Sequence, residues 1–264
     1  MNALLHHSTT QSLTSHLSHA CRLYPEHYFL ELKPDLDTLT FDGEMKVDVE
    51  VRTATAEVTL NSKELVVKSA SFGAAKLVEI SYHLVNTTVT LRFDQELPLG
   101  KGTLNISYSG ILNGDMAGFY KSGYVDADGK PQVMANTQFE ALDARRAFPC
   151  WDEPAVKALF SVTLVVDAKL TALSNMPELS VTHVAGGLKR VVFDVTPKMS
   201  TYLLAWAVGS FDYVQGSTKN GVLVRVFSPP GRATQGAFAL EVGKRALDFY
   251  DDYFKVLLNS CWCV

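Results

Sequence analysis

Residues 41–52 read FDGEMKVDVEVR. Phe41, Met45, Val47, Val49 and Val51 hold odd positions, while Asp42, Glu44, Lys46, Asp48, Glu50 and Arg52 hold the even ones. Successive side chains leave a strand on opposite sides, so this period of two describes a strand with one buried face and one wet face. Working outward, strand-like segments at 57–60, 64–69, 77–83, 87–93 and 103–109 are separated by Asn, Ser, Gly and Pro, and no helical period interrupts them. Further on come LFSVTLVVD (159–167), RVVFDVTP (190–197), TYLLAWAVGSFDYV (201–214) and VLVRVFS (222–228). The first and third are apolar at nearly every position, as strands covered on both faces are. The pattern predicts a mainly β fold, a large antiparallel β sandwich or saddle with roughly 12 to 16 strands. Pro229, Pro230 and Gly231 then punctuate the chain, and Phe238, Val242, Ala246, Phe249, Tyr253 and Leu257 recur at helical steps. That stripe predicts one amphipathic helix over about 233–257.

Chemistry concentrates at residues 137–154, TQFEALDARRAFPCWDEP. Gln138 and Glu140 are two apart, so on an extended chain both side chains leave the same face. Glu140 then has two possible roles: to pair with Arg145 or Arg146, or to hold a primary ammonium beside the neutral amide of Gln138. Asp143, Arg145, Arg146, Asp152 and Glu153 read as a network that fixes a loop, since guanidinium forks match carboxylates.

Composition narrows the function classes. The 264 residues are 47% hydrophobic with a formal net charge of −4. No basic patch points to nucleic acid, and no apolar run is long enough to span a membrane. Cys21, Cys150, Cys261 and Cys263 make neither a disulfide framework nor a CxxC pair, which fits a cytoplasmic location. Residues 1–22 carry His6, His7, His16 and His19 among Ser and Thr, with no acid, and read as a flexible tail rather than a metal site. DADGK at 126–130 reads as a hairpin turn; it lacks the ligand ladder of a calcium loop. His183 falls in a polar turn, and His27 and His83 stand alone in strand-like context.

The string TQFEALDARRAFPCWDEPAVKALF resembles the central motif of the N-terminal domain in zinc metallo-aminopeptidases of the aminopeptidase N and puromycin-sensitive aminopeptidase family. LNGDMAGFYKSGY (112–124), ALSNMPE (172–178) and MSTYLLAWAVGSFD (199–212) resemble further family motifs in the same order, and YFLELKPDLDTLTFDGEMKVDVEV (28–51) resembles its opening strands. The resemblance implies a family-type β domain over 23–228 and the first helix of a catalytic domain over 229–264. It also implies that Glu140 grips the free amino terminus of a peptide substrate and that Gln138 lines the same subsite.

The family's zinc is held by an HExxH pair of histidines and a more distant glutamate. No histidine here precedes a glutamate, and GDMAG at 114–118 is only a superficial echo of the family's GxMEN segment. The expectation is therefore a chain without catalytic residues or metal ligands of its own, truncated before the catalytic motifs and inactive alone, with zinc belonging to full-length relatives. Departure from the family begins near Val256. Two alternatives are a non-catalytic binding or scaffold module with a partner on the C-terminal helix, and a truncated product with no independent role.

Overall fold

The computed structural model describes residues 22–126 and 128–255. Its strands are β1 (Leu23–Asp35), β2 (Thr40–Val51), β3 (Thr55–Asn61), β4 (Leu65–Phe72), β5 (Ala75–His83), β6 (Thr88–Leu97), β7 (Gly100–Ile111), β8 (Gly118–Val125) and β9 (Pro131–Gln138). They are followed by β10 (Lys157–Asp167), β11 (Thr171–Ser174), β12 (Glu178–Val184), β13 (Leu188–Phe193), β14 (Met199–Ser200), β15 (Trp206–Gly209), β16 (Asp212–Ser217) and β17 (Leu223–Ser228). One helix, α1 (Ala237–Phe254), closes the described part. Most of the 1–22 tail, Leu257 and the cysteines at 21, 261 and 263 lie outside the described residues.

The fold is mainly β, as the alternation implies. An 11-stranded sheet runs β12-β13-β10-β1-β2-β7-β4-β5-β6-β3, with β14 beside β10; a four-stranded sheet runs β11-β15-β9-β8, and β16 and β17 form a two-stranded ribbon. Pairing is antiparallel except between β1 and β10, which run parallel and place Tyr28 opposite Phe160. β2 carries the sequence signature into the structure. Its Phe41, Met45, Val47, Val49 and Val51 are all buried, and Asp42, Glu44 and Lys46 face water.

Two apolar runs resolve differently. β10 is interior to the large sheet, as expected of a run buried along most of its length. Residues 201–214, however, are not one strand. They form a 3-10 turn at Thr201–Leu203, then β15, then the start of β16. Trp206 and Val208 point into the core, and the chain crosses at 210–211 into the ribbon, so apolar content served two sheets rather than two faces of one strand.

The helix also departs from its sequence signature. It begins at Ala237, after a 3-10 turn at Ala233–Gly236. The stripe that announced it faces outward, with Phe238 81% and Tyr253 68% exposed. The face turned to the ribbon combines glycines with Leu240 and Lys244, which approach Gly216 of β16. A side chain at Gly236 would meet Val226 and Val214, and one at Gly243 would meet Val224. The stripe of large apolar residues therefore marked the helix without marking the face that packs.

Gly118 opens β8 at φ +72°, in the left-handed region, and a Cβ there would lie 2.4 Å from the Cβ of Arg146. Gly186 also has a positive φ, but nothing lies within 4 Å of its would-be Cβ. Gly186→Ala is therefore expected to cost about 1 kcal/mol of backbone strain alone. Gly118→Ala is expected to cost about 2–4 kcal/mol, because steric conflict adds to strain. Urea unfolding of the two variants measures the difference.

Candidate functional site

The motif begins at the end of β9, where one side chain locks the geometry. Thr137 Oγ1 accepts a hydrogen bond from Trp206 N at 3.0 Å and donates to Trp206 O at 3.3 Å, so the chain leaves β9 still clamped to β15. Gln138, Phe139 and Glu140 then alternate exposed, buried, exposed. Phe139 is 2% exposed, its ring 5.3 Å from Trp206 and 6.1 Å from Phe148 in edge-on contacts. Phe148 in turn meets Tyr28, which stacks on Phe160 at 5.1 Å. Burial of Phe139 in this aromatic layer turns the side chains on either side of it outward. Gln138 Nε2 donates to Glu140 O at 3.4 Å, and Asp143 N donates to Phe139 O at 2.9 Å, closing a turn behind the pair.

Both arginines are engaged, and neither with Glu140. Arg145 Nε donates to Asp152 Oδ2 at 2.9 Å and its Nη1 to Thr87 Oγ1 at 2.7 Å. Arg146 Nε donates to Asp143 Oδ1 at 2.9 Å and its Nη1 to Glu64 Oε2 at 2.6 Å, with Asp115 Oδ2 3.7 Å away. The expected loop-fixing network is present at Asp143, Arg145, Arg146 and Asp152. Its remote members Glu64, Thr87 and Asp115 were invisible to local reading, since Glu64 is 82 positions from Arg146. Asp115 lies in the GDMAG segment, which therefore touches this network. Among the described residues Glu140 forms no ion pair, and its carboxylate is exposed.

Burial sets the other electrostatics. Asp152 is pushed above the usual carboxylate range chiefly by desolvation, which the Arg145 guanidinium opposes. Burial likewise pushes the Cys150 thiol well up, so it is no ready nucleophile. Its backbone bridges to Asn61, with Asn61 N donating to Cys150 O at 2.8 Å and Cys150 N to Asn61 O at 3.1 Å. At the hairpin turn, Asp126 accepts from Lys130 N and Asp128 N on Oδ1 and from Gln132 Nε2 on Oδ2, and these donors, Lys130 N foremost, hold its carboxyl below the usual range. His27, far from the motif, bonds Ser161 Oγ at 2.9 Å and stacks on Phe29.

Among the described residues, no three His, Cys, Asp or Glu side chains are grouped to hold a metal ion. The donor set that a tetrahedral zinc site needs does not fit these residues. No helix of the described residues is long and apolar enough to cross a membrane.

Residues 24–203 match the Peptidase M1 N-terminal domain family. The chain belongs to the M1 peptidase family. The M1 chain is 48% identical over 232 residues to aminopeptidase M1-C of Oryza sativa subsp. japonica, a match covering 87% of this chain and 26% of that protein. It is 43% identical over 240 residues to aminopeptidase M1 of Arabidopsis thaliana, covering 88% and 27%. Puromycin-sensitive aminopeptidase of Caenorhabditis elegans is 40% identical over 238 residues, covering 88% and 25%. The M1 chain thus spans about a quarter of the length of these relatives, at their N-terminal domain.

The buried ion pair of this M1 domain makes a test of the network. Arg145→Met leaves Asp152 buried without its cation, which is expected to cost about 3–5 kcal/mol at neutral pH. Removing the guanidinium raises the folded-state pKa of Asp152 further above its unfolded value. A raised carboxyl pKa gives stability below the unfolded pKa that is lost as pH rises through the folded pKa. The deficit of the variant relative to wild type is therefore expected to shrink from pH 7 to pH 5 in urea titrations.

Proposed function

We propose that this chain is the substrate-anchoring N-terminal part of an aminopeptidase that removes amino-terminal residues from peptides. The carboxylate of Glu140, with Gln138 beside it, takes the free ammonium of the peptide. The observation that carries this reading is an exposed carboxylate on a turn whose two neighbouring guanidiniums are engaged by other acids. An exposed carboxylate with no cation of its own suits a ligand cation. Gripping the ammonium fixes how far the first peptide bond lies from the anchor, so a terminal bond and not an internal one reaches the catalytic groups.

In this reading residues 23–228 form the anchoring domain and the segment from 229 opens the next one. The metal ligands and the base belong to sequence that this chain does not carry, and the zinc would be held there. The chain alone is then without peptidase activity. A reducing compartment such as the cytoplasm suits the buried thiol of Cys150.

A second reading is favoured by the outer face of α1, where Phe238, Phe249, Tyr253 and Phe254 are exposed. Such a face suits a protein partner or the rest of a longer polypeptide. A discrete complex in analytical ultracentrifugation supports a binding or scaffold role, and polydisperse aggregates support a product without independent function.

The anchoring role is tested by joining this chain to the remaining three quarters of a relative such as aminopeptidase M1. Glu140→Ala is expected to lower kcat/KM on free-amino peptides by roughly 100-fold, the scale of lost positioning. Discrimination between free and acetylated substrates should fall with it. Unchanged kinetics on both substrates would remove Glu140 from the binding role.

A further inference from the structure

The large sheet opens between two of its strands. β4 and β5 are paired where their hairpin begins, at Ser71↔Lys76 and Phe72↔Ala75, and then part, while β5 continues in register with β6 as far as His83↔Thr88. One side chain spans the opening: Tyr82 Oη accepts a hydrogen bond from Val67 N at 2.8 Å. The open end is a cleft of about 640 Å³, within the roughly 300–1,000 Å³ of small-molecule sites. Val66 of β4, Leu84 of the β5–β6 turn and Ile111 at the end of β7 line it, and all three are exposed. Large apolar side chains from three separate elements thus meet water around one concavity, which marks a place for a guest.

The free polar groups of this lining are hydrogen-bond donors. Tyr82 Oη already accepts from Val67 N, so its own hydrogen is left to give. His83 Nδ1 accepts from Asn86 N at 3.1 Å, which places the ring hydrogen of the neutral imidazole on Nε2, without a partner among the described residues. Lys63 forms no ion pair among the described residues. The one acid of the lining, Glu64, is taken by Arg146 Nη1 at 2.6 Å. An apolar cleft whose free side-chain groups all donate, one of them a cation, is complementary to an apolar molecule with an anionic head that only accepts.

We infer that this cleft binds a straight-chain aliphatic carboxylate of medium length. The carboxylate pairs with the ammonium of Lys63, with Tyr82 and His83 as neutral donors, and the chain lies between Val66, Leu84 and Ile111. Charge complementarity selects the head, and the apolar walls select the chain: each methylene taken from water adds roughly fourfold to affinity. The site does not depend on the anchoring role of Glu140. It backs onto the same charge network, since Glu64 and Thr87 of its lining hold Arg146 and Arg145.

The test is an amide NMR titration of the full chain with octanoate, hexanoate and octan-1-ol. Octanoate is expected to bind roughly tenfold more tightly than hexanoate, the scale of two buried methylenes. It is expected to exceed octan-1-ol, which keeps the chain and loses the charge, by roughly fivefold or more. Shift changes are expected at Val66, Tyr82 and Leu84, and not at Phe249 and Tyr253 on the apolar face of α1. Lys63→Met is expected to bring octanoate down to the affinity of octan-1-ol, and Leu84→Asn to weaken both. Neither side chain makes a hydrogen bond among the described residues, so both variants are expected to keep the wild-type fold. Equal wild-type affinities for octanoate and octan-1-ol, octanoate binding unchanged in Lys63→Met, or shift changes centred on α1 would each overturn the site.

Discussion

The structure depends on where Phe139 goes. Its ring enters an aromatic layer with Trp206 and Phe148, and that layer continues through Tyr28 to Phe160 on the parallel strand of the large sheet. Burying a Phe side chain contributes about 1.5–3 kcal/mol, and its edge-on partners add to this. The energetic gain fixes direction as well as position. With Phe139 turned inward and Thr137 bound to the backbone of Trp206, Gln138 and Glu140 have only the outer side to occupy.

Charge pairing then keeps that outer side available. A buried guanidinium next to an exposed acid would ordinarily recruit it. Here Asp152 and Thr87 engage Arg145, and Asp143 and Glu64 engage Arg146. Buried ion pairs contribute little net stability against their desolvation cost, as the upward displacement of Asp152 illustrates. Their effect is on specificity: they tie the β3–β4 turn, the segment before β6 and the segment before β8 to one turn, and they leave Glu140 without an internal cation. Gly118 permits the closest of these approaches.

Strand alternation made the large sheet legible, because β2 buries one face and wets the other, and period two reports that directly. The parallel pairing of β1 with β10 was not legible, since it joins segments more than a hundred residues apart and leaves no local trace. The helix was found from its large apolar residues, yet most of those residues face outward, and the packed face brings Gly236, Leu240, Gly243 and Lys244 to the ribbon. At the site, the spacing of Gln138 and Glu140 gave their shared direction, and the density of charge gave the network's local half. Glu64, Thr87 and Asp115 could not be read, because pairing across the fold is decided by topology. The choice between a paired and an available Glu140 was open in the sequence for the same reason.

The turn bearing Glu140 is exposed at its tip but held to the core by Phe139 and by the Asn61–Cys150 bridge. Native-state amide hydrogen exchange across residues 136–152 tests this most directly. The amides of Asp143 and Cys150, which donate to Phe139 O and Asn61 O, are predicted to be as protected as those of β1 and β2, with the Asp143 protection lost selectively in Phe139→Ala. Exchange of these two amides at loop-like rates in the wild-type chain, while β1 and β2 stay protected, would contradict it.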